Sequence, residues 1–162
     1  MHPLTVNLRH LVKRELHLEG ELPANELGLN GLDEMIQIPG VVQYDLMVQK
    51  MGQALLVQGR LTTQLECQCV RCLKAFSLAI DLPEFSAQLP LEGEEAVPVE
   101  GDYVDLTPFL REDIVLAFPQ HPLCEAGCAG LKRPPSAGSE AQPIQESQMT
   151  SSAWAVLNKL KL

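Results

Sequence analysis

The most regular hydrophobic pattern in this chain is a strict alternation of apolar and polar residues near its middle. Two such runs are separated by the turn-forming stretch Met51-Gly52-Gln53, which predicts a β-hairpin over about residues 41–66. Gly59 interrupts the second run, and an isolated glycine within a strand predicts a bulge or bend. The alternating apolar positions are Val42, Tyr44, Leu46, Val48, Leu55, Val57, Leu61 and Leu65.

Two more strands are predicted after this hairpin. Alternation resumes from Phe76 through Leu78 and Ile80 to Leu82, and Pro83 is expected to end it because proline cannot donate a ladder hydrogen bond. A further strand is predicted over residues 84–89. Together with the hairpin, these strands predict an antiparallel β-meander that forms a barrel-like sheet.

The best-defined helix is predicted over residues 107–118. Asp105 or Thr107 is suited to cap its first turn, and Pro108 fits that turn because its missing N–H is not needed there. Pro119 predicts the end of the helix. The apolar residues that share one side at three-to-four spacing are Leu110, Ile114, Val115 and Phe118.

The remaining segments of the first 131 residues are less regular. Residues 3–18 begin with strand-like alternation and change to helical spacing, which predicts a strand followed by a short turn or helix. Frequent glycine and proline predict a loop, with a short helix at most, over residues 19–40. Residues 90–102 combine glycine and proline with a run of acidic side chains, so we expect an exposed loop there.

The composition changes after residue 131. Residues 132–151 are rich in Pro, Ser and Gln and predict a flexible linker. Residues 152–162 predict a short amphipathic helix whose apolar stripe holds Trp154, Leu157 and Leu160. The predicted protein is therefore α+β: a single domain over residues 1–131, built from an antiparallel meander or barrel-like sheet with a packed helix, and a short C-terminal helix.

Charge and composition narrow the classes of partner. The 162 residues include 21 acidic and 12 basic side chains, a net charge of −9, and aromatic residues make up 4%. Nucleic-acid affinity depends mainly on Lys and Arg, and base stacking on aromatic rings, so a non-specific nucleic-acid binder is disfavoured. The acidic surface either serves solubility or meets a basic partner protein. With no signal-peptide pattern and no apolar run long enough to span a membrane, we expect a cytoplasmic protein.

The five cysteines fall into two clusters, and thiols stay reduced in the cytoplasm. Cys69 and Cys72 have the spacing of a zinc knuckle, and Cys124 and Cys128 lie within the spacing range of structural zinc ligands. Two such turns predict one four-thiolate zinc site, with Cys67 and His121 as possible substitute ligands. Two alternatives stay open from the residues alone: the thiols are buried apolar side chains, or the CxxC is a redox motif.

Recognisable catalytic motifs are missing from the sequence. It contains no GxSxG elbow, no P-loop and no GxGxxG, and its four histidines are scattered. A closed four-thiolate site also leaves no open position for water, so it would stabilise the fold and catalyse nothing. We therefore expect a protein that is not an enzyme, with a thiol-dependent enzyme as the lesser alternative.

Two segments resemble the YceD family, the large ribosomal RNA subunit accumulation proteins. The stretch from Cys69 to Leu73, followed by Phe76, is similar to that family's C-x-R-C-L-x-x-F signature, and the stretch from Gly101 to Leu106 is similar to its G-D-x-x-D-L segment. The resemblance covers roughly residues 40–162. It departs from the family pattern after Gly130, where many members carry a further cysteine pair.

The resemblance implies a role in large-subunit (23S) ribosomal RNA accumulation and ribosome biogenesis, with ribosomal or rRNA-processing proteins as partners. The acidic loop with Asp102 and Asp105 would meet a basic partner. Direct contact with ribosomal RNA is the alternative, through Arg71, Lys74 and the Lys-bearing tail.

Overall fold

The computed structural model describes residues 3–132, and Met1–Leu131 forms one compact unit. The described part is mostly antiparallel β, with one sheet curled into a half-barrel and two helices, one of them short, so the predicted α+β class is confirmed. The predicted linker beyond Lys132 and the predicted C-terminal helix lie outside the described residues. In chain order, the elements are β1 (Thr5–Asn7), α1 (Leu8–Leu11), β2 (Leu16–Pro23), β3 (Ile36–Gln37), β4 (Val41–Met51), β5 (Ala54–Gln68), β6 (Ala75–Pro90), β7 (Val99–Glu100), β8 (Tyr103–Asp105) and α2 (Thr107–Leu116).

The half-barrel is organised around β5. On one side, β5 pairs with β4 and, farther along, with β3. On its other side, β5 pairs with β6, and β2 extends the sheet beyond β4. The predicted hairpin is confirmed, with a two-residue turn at Gly52-Gln53 between the paired Met51 and Ala54. Gly52 has a φ of +60°, as the mirror-image turns of tight hairpins require.

The alternating apolar side chains of the hairpin form the centre of the core. All eight predicted positions are buried, and α2 adds Leu110 and Ile114. Burying a leucine or valine side chain stabilises the folded state by about 1.5–3 kcal/mol, so this aliphatic face accounts for much of the folding energy despite the few aromatic residues.

A bulge interrupts the β5–β6 ladder beside Gly59. Gly59 pairs with Phe85 and Leu61 pairs with Leu82, so Arg60 on β5 faces two residues of β6. A Cβ on Gly59 would lie 2.0 Å from the backbone oxygen of Asp45 and 2.8 Å from Cα of Leu46. The bend predicted at Gly59 is therefore present, and glycine is required there because the backbone of β4 occupies the side-chain space.

The prediction of two separate strands over residues 76–89 is wrong, because β6 is one continuous strand. Its inward-facing residues change from even numbers, such as Ile80, to odd numbers, such as Phe85, because the extra residue at the bulge shifts the alternation. Pro83 lies within this bulge on a strand whose one partner among the described residues is β5, so its missing N–H breaks no regular ladder pair.

The predicted loop over residues 19–40 is also partly wrong. Residues 19–23 belong to β2, and Ile36–Gln37 forms β3. Gly20 concealed the alternation of β2, because it takes a core-facing position whose space is filled by the Tyr44 ring of the paired strand. A short β7 likewise lies within the loop predicted over residues 90–102.

The N-terminal strand and the main helix form as predicted, with small differences. β1 leads into the short α1 and pairs with β8, which pairs in turn with β7. The Asp105 carboxylate accepts a hydrogen bond from the Thr107 N–H (2.9 Å) at the start of α2. The helix ends at Leu116 rather than at 118, since the residue before a proline disfavours helical geometry.

We expect Gly59→Ala to lower the free energy of unfolding by about 3 kcal/mol or more, because the new Cβ overlaps the β4 backbone. Gly40→Ala is the matched control: its Cβ would meet nothing within 4 Å, so a change below about 0.5 kcal/mol is expected. Urea unfolding followed by circular dichroism measures both values. Equal stability of the two variants would contradict the close approach of β4 and β5.

Candidate metal centre

The first cysteine pair lies in the tight loop that joins β5 to β6. The Cys69 N–H donates to the Lys74 oxygen and the Leu73 N–H donates to the Cys69 oxygen, both at 2.9 Å. Leu73 has a φ of +61°, and among the described residues no other non-glycine residue has a positive φ. This less favourable conformation allows the chain to reverse direction within the loop. The reversal keeps Cys72 close to Cys69.

The second pair lies in the segment that follows α2. The Cys128 N–H donates to the Glu125 oxygen (3.2 Å), which folds residues 125–128 into a turn. Two hydrogen bonds attach this segment to the first loop: the Val70 N–H donates to the Pro122 oxygen and Arg71 Nη1 donates to the Cys128 oxygen, both at 3.0 Å. The two loops are thus held together by backbone and side-chain contacts in addition to their sulfur atoms.

The four predicted thiolate ligands meet at one point. The Sγ atoms of Cys69, Cys72, Cys124 and Cys128 all lie within 4.8 Å of one another. Cys69 and Cys128 place their sulfurs 3.7 Å apart, and Cys72 and Cys124 place theirs 3.6 Å apart. Tetrahedral zinc with Zn–S bonds of about 2.3 Å requires sulfur–sulfur separations of about 3.8 Å, so the donor set fits this ion in both geometry and chemistry.

The surroundings give three of these thiols different pKa values. Backbone N–H groups of Cys124, Cys72 and Arg71 point at the Cys69 sulfur and lower its pKa to about 6. Burial and the three neighbouring sulfurs raise the pKa of Cys124 to about 12. For Cys128, the Gly130 N–H favours the thiolate, but burial and the thiols of Cys72 and Cys69 outweigh it, so the pKa is raised. Thiol ligands must be deprotonated to bind a metal ion, so the raised pKa values of Cys124 and Cys128 would oppose binding as the pH falls.

Neither proposed substitute ligand belongs to this group of four. Cys67 is buried in the hydrophobic core, where it pairs with Ile36 and Phe76 across the sheet, and burial raises its thiol pKa. His121 is exposed at the surface. Because four sulfurs already complete a tetrahedron, the arrangement has no need of either side chain.

The residues predicted to contact partners lie in two places. Arg71 and Lys74 are exposed in the cysteine loop, although Arg71 also uses its guanidinium to bond the Cys128 oxygen. Asp102 forms an ion pair with Arg9 (2.7 Å), and Asp105 supplies the hydrogen bond at the start of α2. Both aspartates therefore have structural contacts: that of Asp105 at the start of the helix was expected from the sequence, and the ion pair of Asp102 was not.

One cluster of potentially functional residues was missed by the sequence analysis. Arg9, His10, Lys13 and Arg14 line a surface hollow of about 600 Å³ beside α1. The signal was present in the sequence, because residues 1–14 contain three basic and no acidic side chains in a chain of net charge −9. Within the described part of the chain, no helix is long and apolar enough to cross a membrane.

Comparison with protein families identifies a match over most of the chain. The model of the family described as "Large ribosomal RNA subunit accumulation protein YceD" matches residues 57–161. The chain belongs to the YceD family. The match begins within β5 and includes all four clustered cysteines, which agrees with the resemblance carried by the cysteine loop and the Gly101–Leu106 segment. Searches of the curated proteins and of the solved structures found no significant match.

The sulfur geometry predicts one bound zinc ion per chain of this YceD-family protein. Replacement of one ligand, as in Cys124→Ser, should abolish stoichiometric zinc because it leaves three thiolates for a four-coordinate ion. Cys67→Ala is the matched control and should keep the metal, although it removes a buried side chain from the core. Elemental analysis of the purified proteins measures this. Zinc loss in Cys67→Ala and retention in Cys124→Ser would contradict the ligand set.

Zinc affinity should fall as the pH falls. Cys124 and Cys128 have raised pKa values in the metal-free protein and must release their protons to bind a cation. Release of at least these two protons predicts that the apparent Kd rises by about 100-fold for each pH unit lost below neutrality. Competition with a zinc indicator over a range of pH measures the slope, and a pH-independent Kd would exclude thiol ligation.

Proposed function

We propose that this chain is a non-enzymatic binding or assembly factor that supports the accumulation of large-subunit (23S) ribosomal RNA, and that it carries a structural zinc site. The observation that carries the proposal is the convergence of four cysteine sulfurs in a chain that belongs to the YceD family. Its partners are ribosomal or rRNA-processing proteins of the bacterial cytoplasm.

The zinc would act as a clip rather than as a catalyst. Cys69, Cys72, Cys124 and Cys128 would hold it with four thiolates, and its chemistry there is to bind these ligands and stabilise the fold. The segment after α2 contains no regular helix or strand over residues 117–132, so few backbone ladders hold it in place. The clip would fix this segment to the tip of the β5–β6 hairpin and so present one composite surface to a partner.

Burial of the most acidic thiol argues against thiol catalysis, the lesser alternative. The pKa of Cys69 is lowered to about 6, which is the property expected of a nucleophile. Its relative exposure is 0%, however, and its sulfur lies against that of Cys128, so a substrate has no path to it. The low pKa is better explained by preparation for metal binding.

The acidic segment before α2 supports a protein partner. Exposed Glu92, Glu94 and Glu95 precede β7, and Asp102 and Asp105 are the proposed contacts farther along. Exposed carboxylates at this density favour the approach of a basic surface, which ribosomal proteins commonly present. Arg71 and Lys74, beside the cysteine loop, remain the proposed site for direct RNA contact in the alternative function.

The proposed function predicts cosedimentation with precursors of the large ribosomal subunit. Sucrose-gradient fractions of cell extracts should contain the wild-type chain in pre-ribosomal fractions, and a strain without the gene should accumulate less 23S ribosomal RNA relative to 16S. Cys124→Ser should restore the 23S level less well than Cys67→Ala, because one variant removes a clip ligand and the other does not. Quantitative RNA analysis of the complemented strains measures this difference.

Two results would overturn the proposal. Normal 23S levels in the deletion strain, together with absence of the chain from pre-ribosomal fractions, would remove the ribosomal role. Full complementation by Cys124→Ser at normal protein abundance would retain that role but remove the need for the clip.

A further inference from the structure

The N-terminal basic cluster reverses the charge of the molecule over a small area. Residues 1–14 have a net charge of +3, whereas the whole chain has −9. Arg9, His10, Lys13 and Arg14 line a single hollow of about 600 Å³, with Glu15 as the one carboxylate in its wall. All four side chains are exposed, so the positive field of Arg9, Lys13 and Arg14 is directed into solvent.

The cluster stands on a rigid base. The Asn7 carboxamide oxygen accepts a hydrogen bond from the Arg9 N–H (2.9 Å), and the Leu8 N–H donates to the Asp102 oxygen (2.8 Å). Leu11, on the opposite side of α1, is buried in the core. The ion pair between Arg9 and Asp102 (2.7 Å) holds the first guanidinium in place while leaving it largely exposed. Arg9 and His10 are thus presented at defined positions on α1, and Lys13 and Arg14 lie in the turn that follows it.

Most other arginines of the described residues are engaged in intramolecular contacts. Arg60 makes a bidentate ion pair with Asp81, and Arg71 and Arg111 donate to backbone oxygens of Cys128 and Gly28. By contrast, Lys13 and Arg14 form no ion pair among the described residues. The hollow therefore concentrates basic groups that remain available to an external anion.

We propose that Arg9, His10, Lys13 and Arg14 form a binding surface for the phosphate backbone of RNA. This inference rests on the proposed ribosomal role, and it assigns the contact to a different surface from Arg71 and Lys74. An open hollow lined by exposed cations fits a polymer of phosphates better than a small anion, which requires an enclosed site. Val12 is 67% exposed between these cations and offers an apolar contact to a sugar or base.

The acidic remainder of the chain makes this surface selective. Carboxylates elsewhere repel phosphates, so among the described residues RNA is directed to this basic area. The surface also lies outside residues 57–161, the part that matches the family model. It is accordingly a property of this chain's N-terminal strand and helix rather than of the matched cysteine region.

The experiment measures fluorescence anisotropy with the full-length, zinc-loaded chain and a labelled single-stranded RNA of about 24 nucleotides, over about 50–200 mM salt. Three basic contacts predict that log K changes with log salt concentration with a slope of about −2. The double variant Lys13→Glu with Arg14→Glu should bind at least about tenfold more weakly at low salt, because two phosphate contacts become repulsive.

A matched control makes the same change in net charge at positions outside the hollow. The combined variant Asn30→Asp, Gln64→Glu, Gln88→Glu and Gln120→Glu changes four exposed neutral side chains outside the hollow and lowers the net charge by the same amount, so it should bind RNA within about twofold of wild type. Circular dichroism and zinc content verify that both variants fold.

Three outcomes would overturn the inference: no RNA binding by the wild type, equal loss in both variants, or undiminished RNA binding by the first variant. Loss of a protein partner by the first variant with unchanged RNA binding would assign the surface to an acidic protein instead. The complementation assay, which measures 23S levels in the deletion strain, tests the ribosomal role separately. A negative result in one assay therefore leaves the other proposal standing.

Discussion

The register of β5 is the constraint on which the rest of this structure depends. Every second residue from Leu61 to Cys69 is buried, so one alternation runs from the centre of the core to the first residue of the cysteine cluster. A shift of one residue would turn Leu65 and Cys69 to solvent together. The bulge beside Gly59 absorbs the mismatch with β6 instead, because the extra residue is accommodated on β6 and the alternation of β5 continues unbroken.

This continuity explains why Cys67 and Cys69 have different environments although both are buried. Cys67 lies within the strand, where Ile36 and Phe76 face it across the sheet, and it behaves as a small apolar side chain. Cys69 lies one alternation farther on, where the strand gives way to a tight loop and backbone N–H groups point at its sulfur. The difference between a core thiol and a candidate ligand thus depends on where the sheet ends.

A charged side chain, that of Asp102, also helps to hold the fold together. Asp102 connects two regions of the molecule, since its carboxylate pairs with Arg9 and its backbone oxygen accepts from the Leu8 N–H. The G-D-x-x-D-L segment, whose second aspartate accepts a hydrogen bond from the first residue of α2, therefore also holds the base of the basic cluster. Asp102, which is proposed to contact a partner protein, therefore also positions residues that are proposed to contact RNA.

The hairpin, the main helix, the α+β class and the choice of four cysteines as candidate ligands were predictable from the residues alone, because these depend on local alternation, proline placement and ligand spacing. The tertiary structure, by contrast, makes β6 one strand, since its alternation changes phase at a bulge where Arg60 of β5 faces two residues of β6. It also decided that Gly20 belongs to a strand, because the side chain that fills its place comes from Tyr44 on a neighbouring strand. The proximity of Cys69 to Cys128, 59 positions apart, likewise depends on contacts between distant segments. Local spacing shows which residues suit a site, but the packing of remote segments determines whether they reach it.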